Sequence, residues 1–200
     1  MHLKYMALIV RVWVGSVRIR KICVFQNFCR FYFMKIGCGE GVSINDLGCG
    51  YGALYEFIKM NNICLSKYFG YDISEVMIEA ANEFILNNNQ EKDCEIFLEN
   101  SSLITHYADY SITSGIFNMI FDEQELQWRD YILAVLHNMN EKSYKGFSFN
   151  MLTDRVDLEV KICIMLTLVI ILKFVENIFL NKLFYCTIIL YLNGQILVLK

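Results

Sequence analysis

A glycine-rich turn between an apolar segment and a helical pattern constrains the fold of this chain more than any other feature. The stretch reads Ile44-Asn45-Asp46-Leu47-Gly48-Cys49-Gly50-Tyr51-Gly52-Ala53-Leu54. Glycine tolerates positive φ and lets a ligand lie against the backbone. The first N–H groups of a helix have no partner within the helix and attract polar or anionic groups. The stretch therefore predicts a strand, a tight turn and a helix that bind a nucleotide-type ligand.

Charge divides the chain of 200 residues into three parts. Residues 1–39 carry seven Lys/Arg and no acid, residues 40–159 carry seven Lys/Arg against twenty acids, and residues 160–200 carry four against one. We expect a basic, apolar arm or cap over 1–39, and one domain over 40–200 in which 160–200 is an atypical tail. The net charge of -3 does not favour nucleic acid as a partner.

Cysteine and histidine spacing gives no sign of a metal site. The eight cysteines contain no C-x-x-C pair, and the three histidines are scattered at positions 2, 106 and 137. We therefore expect free thiols, as in the reducing cytoplasm, and no bound metal. Apolar runs stay short of the ~18 residues that a membrane helix needs, so we expect no membrane segment.

Alternating strand and helix patterns predict an α/β fold with a doubly wound, mostly parallel sheet. The predicted strands are Val42–Leu47, Lys67–Tyr71, Cys94–Leu98, Ser111–Ser114 and Gly146–Leu152. The predicted helices are Tyr55–Met60, a helix that follows Ser74, and Glu123–Asn140. Asn193-Gly194 lies between two further apolar segments, which predicts an antiparallel hairpin at the C-terminus.

Two acids help to identify the ligand. Asp72 lies 20 residues beyond Gly52, where a carboxylate can accept hydrogen bonds from ribose hydroxyls. Gly48-Cys49-Gly50-Tyr51-Gly52-Ala53 also fits the G-x-G-x-x-G/A pattern of NAD-binding proteins. Asp46, two residues before the first glycine, would be an unfavourable neighbour for the pyrophosphate of NAD. A cationic ligand without phosphate, such as S-adenosylmethionine (SAM), suits it better.

Asp46-x-Gly48-x-Gly50-x-Gly52, followed by Gly70-Tyr71-Asp72-Ile73-Ser74, resembles motif I and the acidic end of strand 2 in class I SAM-dependent methyltransferases, which have a Rossmann-like fold. The resemblance extends over about residues 40–155, through Phe97–Leu103, Ser114–Asn118 and Lys145–Asn150. One departure is Glu99-Asn100, which stands where the family often has Gly-Asp.

The resemblance implies cofactor-binding roles at eleven positions: Asp46, Gly48, Cys49, Gly50, Gly52, Asp72, Ile73, Asn100, Ser101, Ser114 and Gly115. The glycine turn would lie under the ribose and methionine parts of SAM, with Asp46 near the amino end. Asp72 would hold the ribose hydroxyls, and Ile73 would pack on adenine. Asn100 and Ser101 would meet the adenine edge.

The last two positions, Ser114 and Gly115, would line the methionine side and face the substrate. Methyl transfer is an in-line displacement, so positioning can supply much of the catalysis. We assign no catalytic residue; the base candidates His106, Asp109, Asp122 and His137 are not favoured.

The absence of proline reduces the number of methyl-acceptor classes that fit this chain. Proline is part of the Asn/Asp-Pro-Pro-Tyr motif of many amino-methylating enzymes. It is also part of the Pro-Cys nucleophile motif of cytosine C5 enzymes. This favours a small-molecule acceptor. Two alternatives stay open: an NAD(P)-binding oxidoreductase, and a catalytically inactive remnant of the methyltransferase fold.

Overall fold

A seven-stranded sheet with helices on both faces carries the glycine turn. The computed structural model describes residues 41–88, 94–118, 125–150, 187–191 and 195–199. The strands are β1 (Val42–Leu47), β2 (Leu65–Asp72), β3 (Glu95–Asn100), β4 (Ala108–Thr113), β5 (Ser143–Asn150), β6 (Thr187–Tyr191) and β7 (Gln195–Leu199). The helices are α1 (Ala53–Met60), α2 (Glu75–Asn88) and α3 (Glu125–Lys142), with a 3-10 helix at Ile116–Asn118.

The strand order β3-β2-β1-β4-β5-β7-β6 confirms the predicted doubly wound α/β sheet. Strands β1 to β5 run parallel. Connections leave β1 and β4 in opposite directions, so a crevice opens between their carboxyl ends, where open α/β sheets bind their ligands. The glycine turn directly follows β1 and therefore lies at this crevice.

The predicted C-terminal hairpin is present: β7 pairs antiparallel with both β5 and β6. Val198 on β7 is fully buried, which anchors the hairpin to the core. The predicted turn residues Asn193-Gly194 lie outside the described residues, as do the predicted arm at 1–39 and most of the predicted tail at 160–200.

Two apolar layers hold the sheet. On one face, Ile44, Tyr68 and Ile112 pack with Leu54 and Ile58 of α1. On the opposite face, a second cluster joins the sheet to α3 through Leu47, Phe69, Tyr71, Phe147, Ile132 and Leu136. Alternate side chains of each strand thus reach different helices, and the covered sheet holds its carboxyl edge in a fixed shape.

The observed strand bounds differ from the predicted ones where polar residues interrupt the apolar pattern. β4 begins at Ala108 rather than at the predicted Ser111. Asp109 breaks the alternation in the sequence, but Ala108 and Tyr110 are both buried and pair with β5. The prediction was therefore wrong about where this strand starts, because an acid at a strand start mimics a loop.

Two kinds of feature are absent from the described part of the chain. None of its helices has both the length and the apolar character to cross a membrane. The same residues contain no group of three or more His, Cys, Asp or Glu side chains placed to hold a metal ion.

Asp109 ties together the amino ends of three strands. Its Oδ2 accepts hydrogen bonds from the Ser43 backbone N–H and hydroxyl, both at 2.9 Å, and Lys145 Nζ lies 2.8 Å from its Oδ1. Partial burial tends to raise the pKa of Asp109, but the hydrogen bonds from Lys145 and Ser43 outweigh it and lower that pKa below the ordinary value. The charged carboxylate is therefore the form that the fold stabilises.

Asp109→Asn should lower the free energy of unfolding by about 1–2 kcal/mol near neutral pH, since it removes a charged acceptor of several hydrogen bonds. A lowered folded-state pKa stabilises the fold above the pKa of the unfolded chain, and this contribution is lost as pH falls through the folded-state value. Urea unfolding near neutral pH and at about pH 3 should show the deficit shrinking in acid. Glu83→Gln, at an exposed position of α2, is the control. An equal deficit at both pH values would contradict this account.

Candidate active site

The glycine turn is closed by backbone hydrogen bonds to the end of β2. Gly48 N–H and Cys49 N–H both donate to the Tyr71 carbonyl, at 2.7 and 3.0 Å, and Gly52 N–H donates to the Cys49 carbonyl at 3.1 Å. Gly48, Gly50 and Gly52 have φ of 77°, 57° and 92°, in the left-handed region that favours glycine. The sequence-based prediction of a tight turn here is confirmed.

Gly48 needs to be glycine for a second reason. A Cβ at this position would overlap Cγ2 of Ile116, in the 3-10 helix after β4. The turn after β1 and the segment after β4 therefore meet directly across the crevice, and only a residue without a side chain allows that approach. This contact depends on the fold and has no signal in the local sequence.

Asp72 joins the glycine turn to the start of α2. Its Oδ2 accepts a hydrogen bond from Gly50 N–H at 3.0 Å, and its Oδ1 accepts one from Ser74 N–H at 2.9 Å. Each carboxylate oxygen has two lone pairs, so these bonds leave acceptor capacity on both oxygens. The half-buried carboxylate is held in place and is still able to accept hydrogen bonds from a ligand.

Asp46 lies behind the turn. It is buried, with 3% of its surface exposed, and its Oδ2 accepts a 2.5 Å hydrogen bond from the Tyr68 hydroxyl. Burial first, and then the charge of Asp46, raise the pKa of Tyr68 well above its ordinary value, so Tyr68 remains a donor. Cys49 is also buried. Asp46 thus contributes negative charge beneath the turn from a fixed position.

The predicted adenine side lies at the ends of β2 and β3. Asn100 Nδ2 and Ser101 N–H both donate to the Asp72 carbonyl, each at 3.1 Å. The Asn100 bond uses the amide nitrogen, and leaves the amide oxygen as the acceptor that an adenine amine would require. Ile73 is 73% exposed, so its side chain is accessible to a flat ring.

The predicted methionine side lies at the end of β4. Gly115 has φ of 96°, and no atom of the described residues lies within 4 Å of the position that a Cβ would occupy, so this residue faces open space among them. Its N–H donates to Asn150 Oδ1 at 2.8 Å, while Ser114 is buried. The contact between Asn150 and this side of the site was not predicted from the sequence. The position of Asn150 at the end of β5 was the signal that could have indicated it.

The structure brings all eleven predicted positions to the carboxyl edge of β1 to β4 or directly beneath it. The base candidates are elsewhere or not described. His106 stacks on Phe69 on the face that α3 covers, Asp109 lies at the amino end of β4, and His137 is exposed on α3. Asp122 lies outside the described residues. Tyr68, Ile116 and Asn150 are the neighbours of the site that sequence reasoning missed.

Comparison with known proteins assigns the family. No model of a known protein family matches the chain. The "Putative methyltransferase Rv1506c" of Mycobacterium tuberculosis is 37% identical over 123 residues, which are 61% of this chain and 70% of that protein. The chain belongs to the class I SAM-dependent methyltransferases. The NAD(P)-dependent oxidoreductase alternative is therefore set aside.

Solved methyltransferases share the fold. Magnesium protoporphyrin IX methyltransferase from Synechocystis PCC 6803 with bound S-adenosylhomocysteine (SAH) has a TM-score of 0.59 at 13% identity, over 94% of this chain and 84% of that chain. The plantazolicin methyltransferase BpumL in complex with SAH has a TM-score of 0.58 at 16% identity, over 90% of this chain and 71% of that chain. At these identities the comparison shows a common methyltransferase architecture.

Gly48→Ala and Gly115→Ala form a matched pair, because both residues have positive φ but only Gly48 lies against a neighbour in the described part of the chain. Gly115→Ala should cost about 1–2 kcal/mol of unfolding free energy from backbone strain. Gly48→Ala should cost a further ~1–3 kcal/mol from overlap with Ile116. Chemical denaturation measures both values.

The added Ile116→Ala substitution tests the cause of the difference. It should recover part of the extra loss in the Gly48→Ala background, because it removes the overlapping methyl group. Equal losses in the two single variants, with no recovery in the double variant, would contradict the proposed contact.

Proposed function

We propose that this methyltransferase binds SAM along the carboxyl edge of its sheet, at the eleven predicted positions, and methylates a small molecule. The observation that carries the proposal is the bond between Asp72 and Gly50 N–H. This bond connects two parts of the proposed site. One is an acid that can accept hydrogen bonds from ribose hydroxyls, and the other is a glycine turn that allows close contact with a ligand. Both halves of a nucleoside site are thus held together before any ligand arrives.

Charge at the turn supports SAM in particular. Asp46 lies beneath the turn and Asp72 beside it, so two carboxylates surround the proposed site. SAM carries an ammonium and a sulfonium and no phosphate, so an acidic setting favours it. The pyrophosphate of a dinucleotide would instead be repelled by Asp46, whereas Asp72 can accept hydrogen bonds from the ribose of either ligand. Ile73 supports adenine binding, since its exposed side chain can pack on one face of the ring.

For methyl transfer, the main task of the protein is to position the acceptor and SAM. An acceptor lone pair attacks the methyl carbon of SAM in line with the carbon–sulfur bond, whose electrons return to sulfur and give SAH. Any proton on the acceptor is then lost to solvent. Gly115 leaves space at the methionine side, where an acceptor can approach. Holding the two reactants in line can supply much of the expected acceleration.

A small acceptor is supported by charge and by the neighbours' names. The central block, residues 40–159, has twenty acids against seven Lys/Arg, which disfavours a polyanionic substrate. The structural neighbours include enzymes named for magnesium protoporphyrin IX and plantazolicin. One neighbour carries the name "putative rRNA-methylase", so the fold alone does not determine the acceptor. The free thiols of Cys49, Cys64 and Cys94 suit a cytoplasmic location.

Asp72→Asn should weaken SAM binding about 10- to 100-fold, or ~1.4–2.8 kcal/mol, because it removes the charge while keeping a similar shape. Isothermal titration calorimetry gives the dissociation constants, and circular dichroism melting checks that the variant is folded. Glu75→Gln removes an exposed charge three residues away and should change affinity less than about twofold. Unchanged affinity in folded Asp72→Asn protein would exclude the proposed ribose contact.

The acceptor class is tested with SAM labelled in the methyl group. The enzyme is incubated with the low-molecular-mass filtrate of a cell extract, or with the RNA and protein retained by the filter. We expect label to appear in filtrate products and to be reduced with Asp72→Asn enzyme. Label found only in RNA or protein would contradict the small-molecule proposal while leaving the methyltransferase assignment intact.

A further inference from the structure

A cleft beside β3 borders the proposed SAM crevice, since its lining residues Tyr71 and Glu99 directly precede Asp72 and Asn100. Its volume is about 350 Å³, and it is lined by Tyr71, Ile96, Phe97, Leu98, Glu99 and His106. None of these six residues belongs to the eleven proposed SAM positions. We propose that this cleft is a second binding site, which takes a small planar cation such as a protonated amino-heterocycle.

Three aromatic rings build a platform in this cleft. Phe69 stacks with Phe97 at a centroid distance of 5.1 Å and with His106 at 4.6 Å. Rings on opposite faces of Phe69 would be about 7 Å apart, twice a contact distance of ~3.5 Å. Phe97 and His106 are only 5.7 Å apart, so both rest on the same face of Phe69. Together they form a surface two rings wide.

The outer surface of this platform is open among the described residues. Phe97 is 43% exposed, and His106 is exposed too, whereas Phe69 beneath them is buried. A flat aromatic ligand can stack on the two upper rings in the offset geometry that aromatic pairs prefer. The platform therefore selects a planar ligand over an aliphatic one.

Hydrogen bonds fix the His106 ring. Its Nδ1 lies 3.1 Å from the Tyr71 hydroxyl and 2.9 Å from Thr105 Oγ1, and its backbone N–H donates to the Tyr71 hydroxyl at 3.2 Å. Tyr71 is buried, and Asn45 donates from Nδ2 to the His106 carbonyl at 3.1 Å. Since the ring is already held, stacking on it costs little side-chain entropy.

One carboxylate, that of Glu99, lies at the cleft and sets the charge of the ligand. Glu99 lies opposite Tyr71 in the register of β2 and β3, and its Oε2 accepts a 2.7 Å hydrogen bond from Thr105. Within the described residues no other partner holds this carboxylate, so Oε1 is available to an N–H⁺ donor. A cation gains from both the carboxylate and the aromatic faces, while a nucleic acid would meet like charge.

The test uses 9-aminoacridine, a planar fluorescent cation, with acridine as the same ring system without the amino group and without charge at neutral pH. Fluorescence titration of the full chain should give saturable binding of 9-aminoacridine and at least fivefold weaker binding of acridine. Phe97→Ala should weaken 9-aminoacridine binding tenfold or more. Glu99→Gln should weaken it three- to tenfold, and Glu83→Gln, an exposed acid on α2, should leave it unchanged.

SAH separates this site from the SAM crevice. Saturating SAH should not displace the probe, and Phe97→Ala should bind SAH as the unmodified chain does. Displacement by SAH would place the probe in the cofactor crevice and overturn the proposal. The proposal would also be overturned by the absence of saturable binding, or by Phe97→Ala and Glu99→Gln variants that bind the probe as tightly as the unmodified chain. If SAH itself fails to bind while these variants still discriminate, the proposed function fails and the second site stands.

Discussion

The hydrogen bond from Gly50 N–H to Asp72 is the interaction on which the site depends. It crosses from the turn after β1 to the end of β2, at 3.0 Å, and the second oxygen of the same carboxylate receives Ser74 N–H. One side chain therefore sets the shape of the turn and the start of α2 together. A bond from a charged acceptor to a backbone N–H is among the stronger hydrogen bonds in proteins. Loss of Asp72 would loosen both sides of the crevice at once.

The rest of the fold keeps the two ends of the sheet in position. At the carboxyl edge, Gly48 meets Ile116, and Asn150 holds Gly115, so β1, β4 and β5 end in fixed relation. At the amino edge, Asp109 joins Ser43 and Lys145. Between these edges the strands pack against α1 and α2 on one face and α3 on the other. The turn thus projects from a rigid base, which suits a reaction that depends on alignment.

Local patterns predicted most of the fold, because each depends on neighbours in the chain. The apolar pattern of the sequence predicted β1 with the observed bounds. The spacing of the glycines and Asp72 predicted the position of the crevice. What could not be predicted involves partners far apart in sequence. The Asp46–Tyr68 bond spans 22 residues, and the Gly115–Asn150 bond spans 35. Asp109 looks like a loop residue until the sheet brings Ser43, 66 positions away, to its carboxylate.

We propose that the acidic glycine turn selects SAM over a dinucleotide. The measurement that tests this preference most directly is isothermal titration calorimetry of the folded 200-residue chain with SAM, SAH and NAD. We expect micromolar binding of SAM and SAH, about -8 kcal/mol at 1 μM, and no detectable binding of NAD. Tighter binding of NAD, or no binding of SAM by a chain shown to be folded, would contradict this proposal.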